Sequence, residues 1–238
     1  MIGRARKPKR CGVKGCNKSK GIVIIFITAL LLAGCGLNAA DRDNLMSENF
    51  DQPSPVEQIH PRERDVYDLV LLGARQEVKK GVTYDDSYQN IDYPGGDVPE
   101  DRGACTDVVI RAFRYAGIDL QQLIHEDMRE NFSLYSQNWG LERPDPNIDH
   151  RRVPNQVKFF SRYGSSLTIS TEPEDLPEWQ WGDVVYWRFP NGLEHCGIIS
   201  DRKNTAGIPL VIHNAGVAKE EDCLNRWEIT GHYRYPAG

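Results

Sequence analysis

Hydrophobic and polar positions along the chain change their period near residue 165. Before it, apolar side chains recur at spacings of three and four, which is typical of amphipathic helices. Four such segments lie at 61–81, 105–117, 120–130 and 154–163. After it, short β-branched and aromatic runs alternate with turn residues, which predicts strands. These runs lie at 166–170, 183–188, 195–200, 209–215 and 232–235. Helices followed by strands favour an α+β fold with a small antiparallel sheet.

Two connections carry further information. Asn191 and Gly192 lie between the second and third predicted strands, and an Asn-Gly pair is a strong signal for a β-hairpin. Residues 82–104 are rich in Gly, Pro, Asp and Tyr, which predicts a long ordered loop. Loops of this length in compact domains are often functional.

The N-terminal segment has the pattern of an export signal. Residues 1–20 hold eight Lys or Arg and no acidic side chain, and an apolar run of twelve residues follows at 22–33. Twelve residues are too few to cross about 30 Å of hydrocarbon as a helix. A basic segment, a short apolar segment and small residues before a cleavage site are typical of a secretory signal peptide.

The apolar run ends in Leu32-Ala33-Gly34-Cys35, which resembles the bacterial lipobox. The resemblance implies a signal peptide over 1–34, lipidation of Cys35 and a membrane partner. Gly36 after the cysteine implies the outer membrane, with the protein facing the periplasm. Residues 35–60 are then a lipidated tether and 61–238 the folded domain. The alternative is an ordinary signal peptide with an incidental cysteine.

The charge balance of the remaining chain is acidic. All 34 acidic side chains but only 21 of the 29 basic ones follow residue 40. Binding to nucleic acid requires clustered Lys and Arg to neutralise phosphates. The sequence therefore predicts no nucleic-acid partner.

Three cysteines follow Cys35, namely Cys105, Cys196 and Cys223. An odd number in an exported protein leaves at least one free thiol. Cys105 stands where the long loop meets a predicted helix, and the N–H groups at a helix N-terminus lower the pKa of a thiol and stabilise an oxyanion. Cys105 is therefore a candidate nucleophile, the alternative being a small buried hydrophobic residue.

Two histidines are the candidate partners of this thiol. A cysteine nucleophile needs a base, normally His, oriented by a third polar group. His195 begins one predicted strand and His213 ends the next, so a hairpin centred near residue 204 places them directly opposite each other on one face. Cys196 then faces the other side, towards the core or Cys223. Neither CxxC nor HxxxH spacing occurs near these residues, so we expect no metal and no cofactor.

Five longer motifs resemble DUF1287, a family of uncharacterised exported bacterial proteins. They are Arg102-Gly103-Ala104-Cys105-Thr106-Asp107, the run from Pro144 to Asn155, Trp181-Gly182-Asp183-Val184-Val185, the run from His195 to Asp201, and Ile212-His213-Asn214-Ala215-Gly216. The resemblance covers about Pro61 to Pro236 and implies no established activity.

The order of these motifs is more distantly similar to NlpC/P60 and other papain-like cysteine peptidases. That similarity implies a papain-like fold with Cys105 as nucleophile, His195 as base and His213 as orienting residue. NlpC/P60 enzymes cut peptides of the bacterial cell wall, so the similarity implies a peptidoglycan stem peptide as substrate. The usual Asp-Cys-Ser-Gly around the nucleophile differs here, which puts the peptide specificity in question. Tyr84, Tyr88 and Tyr93 are all candidates for the family's upstream aromatic residue, and Tyr84 is taken as a candidate substrate-binding residue.

Arg151 and Arg152 belong to the one basic cluster of the acidic body. They form either a loop paired with Asp145 and Asp149 or a clamp for a substrate carboxylate, because the planar guanidinium donates two parallel hydrogen bonds. Together with the candidate thiol and histidines, the two resemblances imply a lipid-anchored cysteine hydrolase of cell-wall peptides. The alternatives are a non-catalytic binding or scaffold protein and a thioester-forming acyltransferase.

Overall fold

Helices precede strands in the described chain, residues 53–237 of a computed structural model. The α-helices are α1 (Pro55–Gln58), α2 (Val66–Lys80), α3 (Cys105–Tyr115), α4 (Leu120–Asn131) and α5 (Val153–Tyr163). The strands are β1 (Ser165–Ser166), β2 (Val184–Arg188), β3 (Glu194–Lys203), β4 (Pro209–Asn214), β5 (Ala218–Glu221) and β6 (Glu228–Arg234). Within this range no helix is long and apolar enough to cross a bilayer. The predicted signal segment and Cys35 lie outside the described residues.

The strands form one antiparallel sheet in the order β1-β6-β2-β3-β4-β5. The predicted hairpin at Asn191 and Gly192 joins β2 to β3, and Gly192 adopts a φ of +84° that other residues rarely adopt. The α+β class with an antiparallel sheet is therefore confirmed. Two details differ: only Ser166 of the predicted strand at 166–170 lies in a strand, and β5 was not predicted.

The first long helix begins later than its apolar pattern suggests. The Asp65 side chain accepts hydrogen bonds from the N–H groups of Tyr67 and Asp68, which caps α2, and Gly81 ends it in the left-handed conformation. Upstream, Val56 of α1 is fully buried and its N–H donates to Asp201 Oδ2 at 2.7 Å. Packing therefore begins within the segment that the sequence assigns to the tether.

The two faces of the sheet bury different apolar clusters. The larger cluster fills the space between the helices and the face that carries Tyr186, Cys196 and Ile198. The smaller one covers the opposite face and includes Trp187 and Cys223. Alternate residues of a strand point to opposite faces, so the helices are packed against one side of the sheet.

A buried arginine ties α2 to two strands of the sheet. Arg75 Nη2 lies 2.9 Å from Glu220 Oε1 on β5 and also pairs with Asp201 on β3. The side chains of all three residues are at most 6 % exposed. Breaking such a buried pair is costly because it leaves an uncompensated charge. The pair therefore holds β5 next to α2.

Candidate active site

Cys105 is the first residue of α3, as the sequence predicts. The Asp107 side chain accepts a hydrogen bond from the Ala104 N–H at 2.6 Å, which fixes the turn entering the helix. The first hydrogen bond of the helix runs from the Asp107 N–H to the Ala104 carbonyl. The N–H groups of Cys105 and Thr106 precede it, so they are available to an anion beside the sulfur.

Arg151 holds this helix terminus in place. Its guanidinium donates two hydrogen bonds of 2.9 Å to Asp107, and its carbonyl accepts one from Thr106 Oγ1 at 3.0 Å. A further hydrogen bond to the Ser87 carbonyl reaches the long loop. The Arg151 and Asp107 side chains are almost fully buried. Arg151 therefore pairs with Asp107 rather than with the two predicted aspartates, and its donors are not available to a ligand.

Arg152 has different surroundings from its neighbour. Its guanidinium lies 4.1 Å from the ring centre of Trp139, and its Nη1 lies 3.7 Å from Asp149 Oδ1, beyond hydrogen-bond length. Burial lowers the pKa of Arg152. Arg152 thus forms an ion pair with Asp149 but lacks the paired hydrogen bonds that hold Arg151.

The two predicted histidines meet through their rings. Nε2 of His195 lies 2.9 Å from Nδ1 of His213. The predicted pairing of β3 with β4 is wrong by two residues. Ile198 pairs with Ile212, and the register of the two strands shifts between Ile199 and Lys203. An even shift keeps both rings on the same face, so the contact forms diagonally across the strands.

Glu221 extends the pair to a third side chain. Its Oε1 lies 2.8 Å from Nε2 of His213. Burial raises the pKa of Glu221, but hydrogen bonds from Arg226, Lys219 and His213 outweigh it and lower the pKa to about 2. Glu221 is therefore an anion at neutral pH, and it fixes the orientation of the His213 ring. Sequence reasoning missed this residue because the short, charged strand β5 was not recognised.

The thiol of Cys105 is placed to ionise. A hydrogen bond from the Cys196 side chain lowers the pKa of Cys105, burial opposes it, and a hydrogen bond from His195 lowers it further. Burial, followed by the hydrogen bond to Cys105, raises the pKa of Cys196 well above its usual value. The negative charge therefore resides on Cys105. Since Nε2 of His195 is engaged with His213, Nδ1 is the ring nitrogen left for the sulfur.

The described cysteines are all free and buried. Cys105 is only 5 % exposed. Cys196 and Cys223 belong to the clusters on opposite faces of the sheet. Cys196 therefore faces the core and Cys105, not Cys223.

The imidazole pair is enclosed by aromatic side chains. Trp187, Phe189 and Trp227 lie with ring centres 4.9–5.8 Å from that of His195. Burial, followed by the nearby charge of His195, lowers the pKa of His213 to about 4. His213 is therefore neutral over most of the physiological range, with one ring nitrogen protonated.

Comparison of the sequence with known proteins shows which family the chain belongs to. A family model described as "Domain of unknown function (DUF1287)" matches residues 71–235. The chain belongs to the DUF1287 family. "Uncharacterized protein YijF" of Escherichia coli (strain K12) is 54% identical over 164 residues, which cover 68% of this chain and 78% of that protein. The predicted membership is confirmed, and neither description states an activity.

Among the three candidate tyrosines of this DUF1287 chain, Tyr84 is the one next to the thiols. Burial raises the pKa of Tyr84, and negative charge on Cys105 raises it further. Tyr88 instead donates a hydrogen bond to Asp145, and Tyr93 packs against His125. Tyr84 is 43% exposed, so it can contact a ligand at the sulfur.

The Gly182-Asp183 motif has a structural role in this DUF1287 domain. Asp183 lies 2.9 Å from Nε2 of His232 and pairs through both oxygens with Arg234. Trp179 stacks on the His232 ring at 3.8 Å. These contacts join β2 to β6 and place Asp183 outside the Cys105 cluster.

Three side chains offer ligand atoms that a metal ion could share. Those of His213, Glu221 and Cys223 lie within 4.8 Å of one another. Lys219 and Arg226 already neutralise Glu221, and burial raises the pKa of Cys223 to about 12. Metal binding requires the thiolate, so these charges oppose a metal at this position.

Proposed function

We propose that this DUF1287 protein is a lipid-anchored cysteine hydrolase that cleaves amide bonds in cell-wall peptides. The observation that carries the proposal is the hydrogen-bonded chain from His195 through His213 to Glu221, together with the thiol of Cys105, whose pKa His195 helps to lower. A nucleophile, a base and an orienting group in this order are the parts that nucleophilic catalysis requires.

The proposed reaction begins with the thiolate of Cys105 attacking the carbonyl carbon of an amide. The carbonyl oxygen becomes an oxyanion, which the N–H groups of Cys105 and Thr106 stabilise at the helix terminus. His195 donates its proton to the leaving nitrogen, and an amine departs from the resulting thioester. Water then attacks the thioester, giving a proton to His195 and releasing the acid and the thiolate.

His213 and Glu221 act as positioning residues in this mechanism. The hydrogen bond to anionic Glu221 makes Nε2 of His213 the protonated nitrogen, so its Nδ1 accepts the N–H of His195. His195 is thereby held in one orientation, with Nδ1 towards the sulfur. The aromatic side chains around the pair exclude water, which strengthens these hydrogen bonds.

The similarity to NlpC/P60 peptidases supports the finer parts of the proposal. It suggests a papain-like arrangement, with a cysteine at a helix start and histidines on the sheet, and a peptidoglycan stem peptide as substrate. The lipobox at Leu32–Cys35 suggests attachment to the outer membrane, where such peptides are within reach. The papain-like arrangement, the stem-peptide substrate and the outer-membrane attachment are all parts of the proposal.

Incubation of purified muropeptides with the full chain tests the proposal. We expect mass spectrometry to detect products that have gained one water across an amide bond. The Cys105→Ala variant should form none, whereas Ser161→Ala, a change at an exposed serine of α5, should remain active. Equal product from wild type and Cys105→Ala would refute the mechanism.

The burial of Cys105 favours one second candidate, an acyltransferase. A thioester on Cys105, a residue that is 5 % exposed, has restricted access to water, which allows an amine to compete as acceptor. Addition of an amine distinguishes the two activities, because a transferase gives a cross-linked product and a hydrolase gives the acid. A non-catalytic binding protein would give neither product, and its Cys105 would not react with an electrophilic probe near neutral pH.

A further inference from the structure

A cavity of about 810 Å³ lies between α2 and β5, the edge strand of the sheet. The helices α1 and α2, the end of α3 and the strands β3 and β5 contribute to its walls. Among the described residues, those assigned to the Cys105 site do not line it. A volume of this size is typical of a site for a small organic ligand, so the cavity is a candidate second site.

Positive charge dominates the walls of this cavity, although the domain as a whole is acidic. Its lining includes five cations and two anions. The cations are Arg64, Arg75, Lys79, Arg202 and Lys219, and the anions are Glu57 and Glu220. Clefts lined mainly by one sign of charge concentrate ligands of the opposite sign. The cavity therefore favours an anionic ligand.

Both lining anions already have partners within the protein. Glu220 pairs with Arg75 at 2.9 Å and lies 3.6 Å from Nη1 of Arg202. The Glu57 side chain accepts a hydrogen bond from the Ser54 N–H at 3.0 Å. These contacts hold the two carboxylates in place, so the remaining cations of the lining are not neutralised by them.

Arg64 and Lys79 are the lining cations without a direct partner. Within residues 53–237, neither side chain forms an ion pair or a hydrogen bond, whereas Lys219 pairs with Glu221 at 3.0 Å. Nε of Arg64 is buried without a hydrogen-bond partner. The Ser54 N–H makes the largest contribution to lowering the pKa of Glu57, and Lys79 makes the smallest. A guanidinium in this situation gains a charge-assisted hydrogen bond from an incoming oxyanion.

Apolar side chains line the same cavity. Leu72, Val78 and Tyr115 contribute to its walls, and Tyr115 is 50% exposed. Inorganic phosphate has no apolar part to place against these side chains, whereas a phospholipid carries glycerol and acyl carbons next to its phosphate. Tyrosine is also enriched at membrane interfaces, because its ring is apolar and its hydroxyl is polar. The lining therefore fits an amphiphilic phosphate.

We propose that this cavity binds the phosphate of an anionic phospholipid, with Arg64 as its main ligand and Lys79 as a supporting charge. Pro53 lines the cavity, and the predicted lipidation site Cys35 lies 18 residues before it. The proposed anchor therefore keeps this face of the domain close to lipid. That last argument rests on the proposed lipidation, whereas the charges and the apolar lining do not.

Calorimetric titration of the full chain tests this inference. The probes are monomeric dihexanoyl-phosphatidylglycerol, dihexanoylglycerol, which has the same acyl chains without the phosphate, and inorganic phosphate. We expect the phospholipid to bind most tightly, because it alone offers both the charge and the apolar carbons. Arg64→Gln should weaken its binding at least tenfold through loss of a charge-assisted hydrogen bond, and Lys79→Gln should weaken it about fivefold. Arg188→Gln, a control at an exposed arginine of β2 outside the cavity, should leave it unchanged.

Three results would overturn the inference. They are phospholipid binding no tighter than that of dihexanoylglycerol, an unchanged affinity for the phospholipid after Arg64→Gln or Lys79→Gln, and inorganic phosphate bound as tightly as the phospholipid, which would indicate a site for free phosphate. Lys79 is exposed, so Lys79→Gln keeps the test decisive if Arg64→Gln fails to fold. Lipid binding requires no cleavage of muropeptides, so its failure is distinguishable from a failure of the proposed hydrolase.

Discussion

His195 and His213 share a hydrogen bond of 2.9 Å although they are not paired across their strands. Pairing of Ile198 with Ile212 places Gly197, not His195, opposite His213. A Cβ at residue 197 would lie 3.1 Å from the Cβ of His213 and 2.8 Å from the carbonyl oxygen of Ile212. The missing side chain therefore leaves the space in which His213 reaches its partner.

Replacement of Gly197 by alanine should disturb the histidine pair. We expect Gly197→Ala to cost about 1–3 kcal/mol in the free energy of unfolding and to slow alkylation of Cys105, because the backbone or His213 must move. Urea unfolding and the rate of reaction with iodoacetamide are the measurements. Gly192→Ala is the control, since its Cβ meets nothing within 4 Å and its cost is backbone strain alone. Unchanged alkylation in Gly197→Ala would contradict this account of the pair.

Removal of the charge on Glu221 should impair the proposed reaction without removing the nucleophile. A charge-assisted hydrogen bond is worth about 1.5–3 kcal/mol, so we expect Glu221→Gln to lower kcat/KM at least tenfold. Turnover of the muropeptide substrate, compared between variants, is the measurement. Glu228→Gln provides a matched control, because Glu228 is an exposed carboxylate on β6, which three strands separate from β5 in the sheet. If both variants were as active as wild type, Glu221 would have no positioning role.

The sequence was sufficient to identify the thiol and the two histidines, whereas the pairing of the strands that carry the histidines is seen only in the structure. A helix start at Cys105 and the Asn191-Gly192 hairpin depend on local signals, which a single sequence contains. The pairing of β3 with β4 depends on how far β3 continues before the turn, and it continues to Lys203, where the ladder shifts. Glu221 was missed because β5 is short and charged, although Gly216 after His213 is a turn residue that could have suggested a returning strand.

Cys196 should control the ionisation of Cys105. Without its S–H hydrogen bond, the thiolate loses the largest contribution that stabilises it. We expect Cys196→Ala to raise the pKa of Cys105 by on the order of one unit, which corresponds to one hydrogen bond of about 1.4 kcal/mol. The pH dependence of Cys105 alkylation measures this shift. Ser161→Ala, a change at an exposed serine of α5, should leave the profile unchanged. Superimposable profiles for wild type and Cys196→Ala would disprove the role of the Cys196 hydrogen bond.

Loss of Arg151 should destabilise the helix that carries the nucleophile. Arg151→Ala leaves the buried Asp107 carboxylate without its cation, and breaking a buried pair costs about 3–5 kcal/mol. Arg188→Ala, which breaks the exposed pair with Glu228, should cost no more than about 1 kcal/mol. Urea unfolding of both variants is the measurement. Similar midpoints for the two would show that the buried pair does not hold the helix terminus.

The buried His213 should make the stability of the protein depend on pH. In the unfolded chain this imidazole binds a proton below its usual pKa of 6.5, whereas in the folded protein it does so only below about 4. Its contribution to stability is therefore fully present above pH 6.5 and is lost as the pH falls towards 4, by an amount on the order of 1–3 kcal/mol. Glutamine at 213 keeps a polar side chain but cannot titrate, so His213→Gln should show a smaller fall in the free energy of unfolding between pH 6.5 and 4. His60→Gln, a change at an exposed histidine, should retain the wild-type dependence. Equal slopes for wild type and His213→Gln would mean that His213 does not remain neutral in the folded protein.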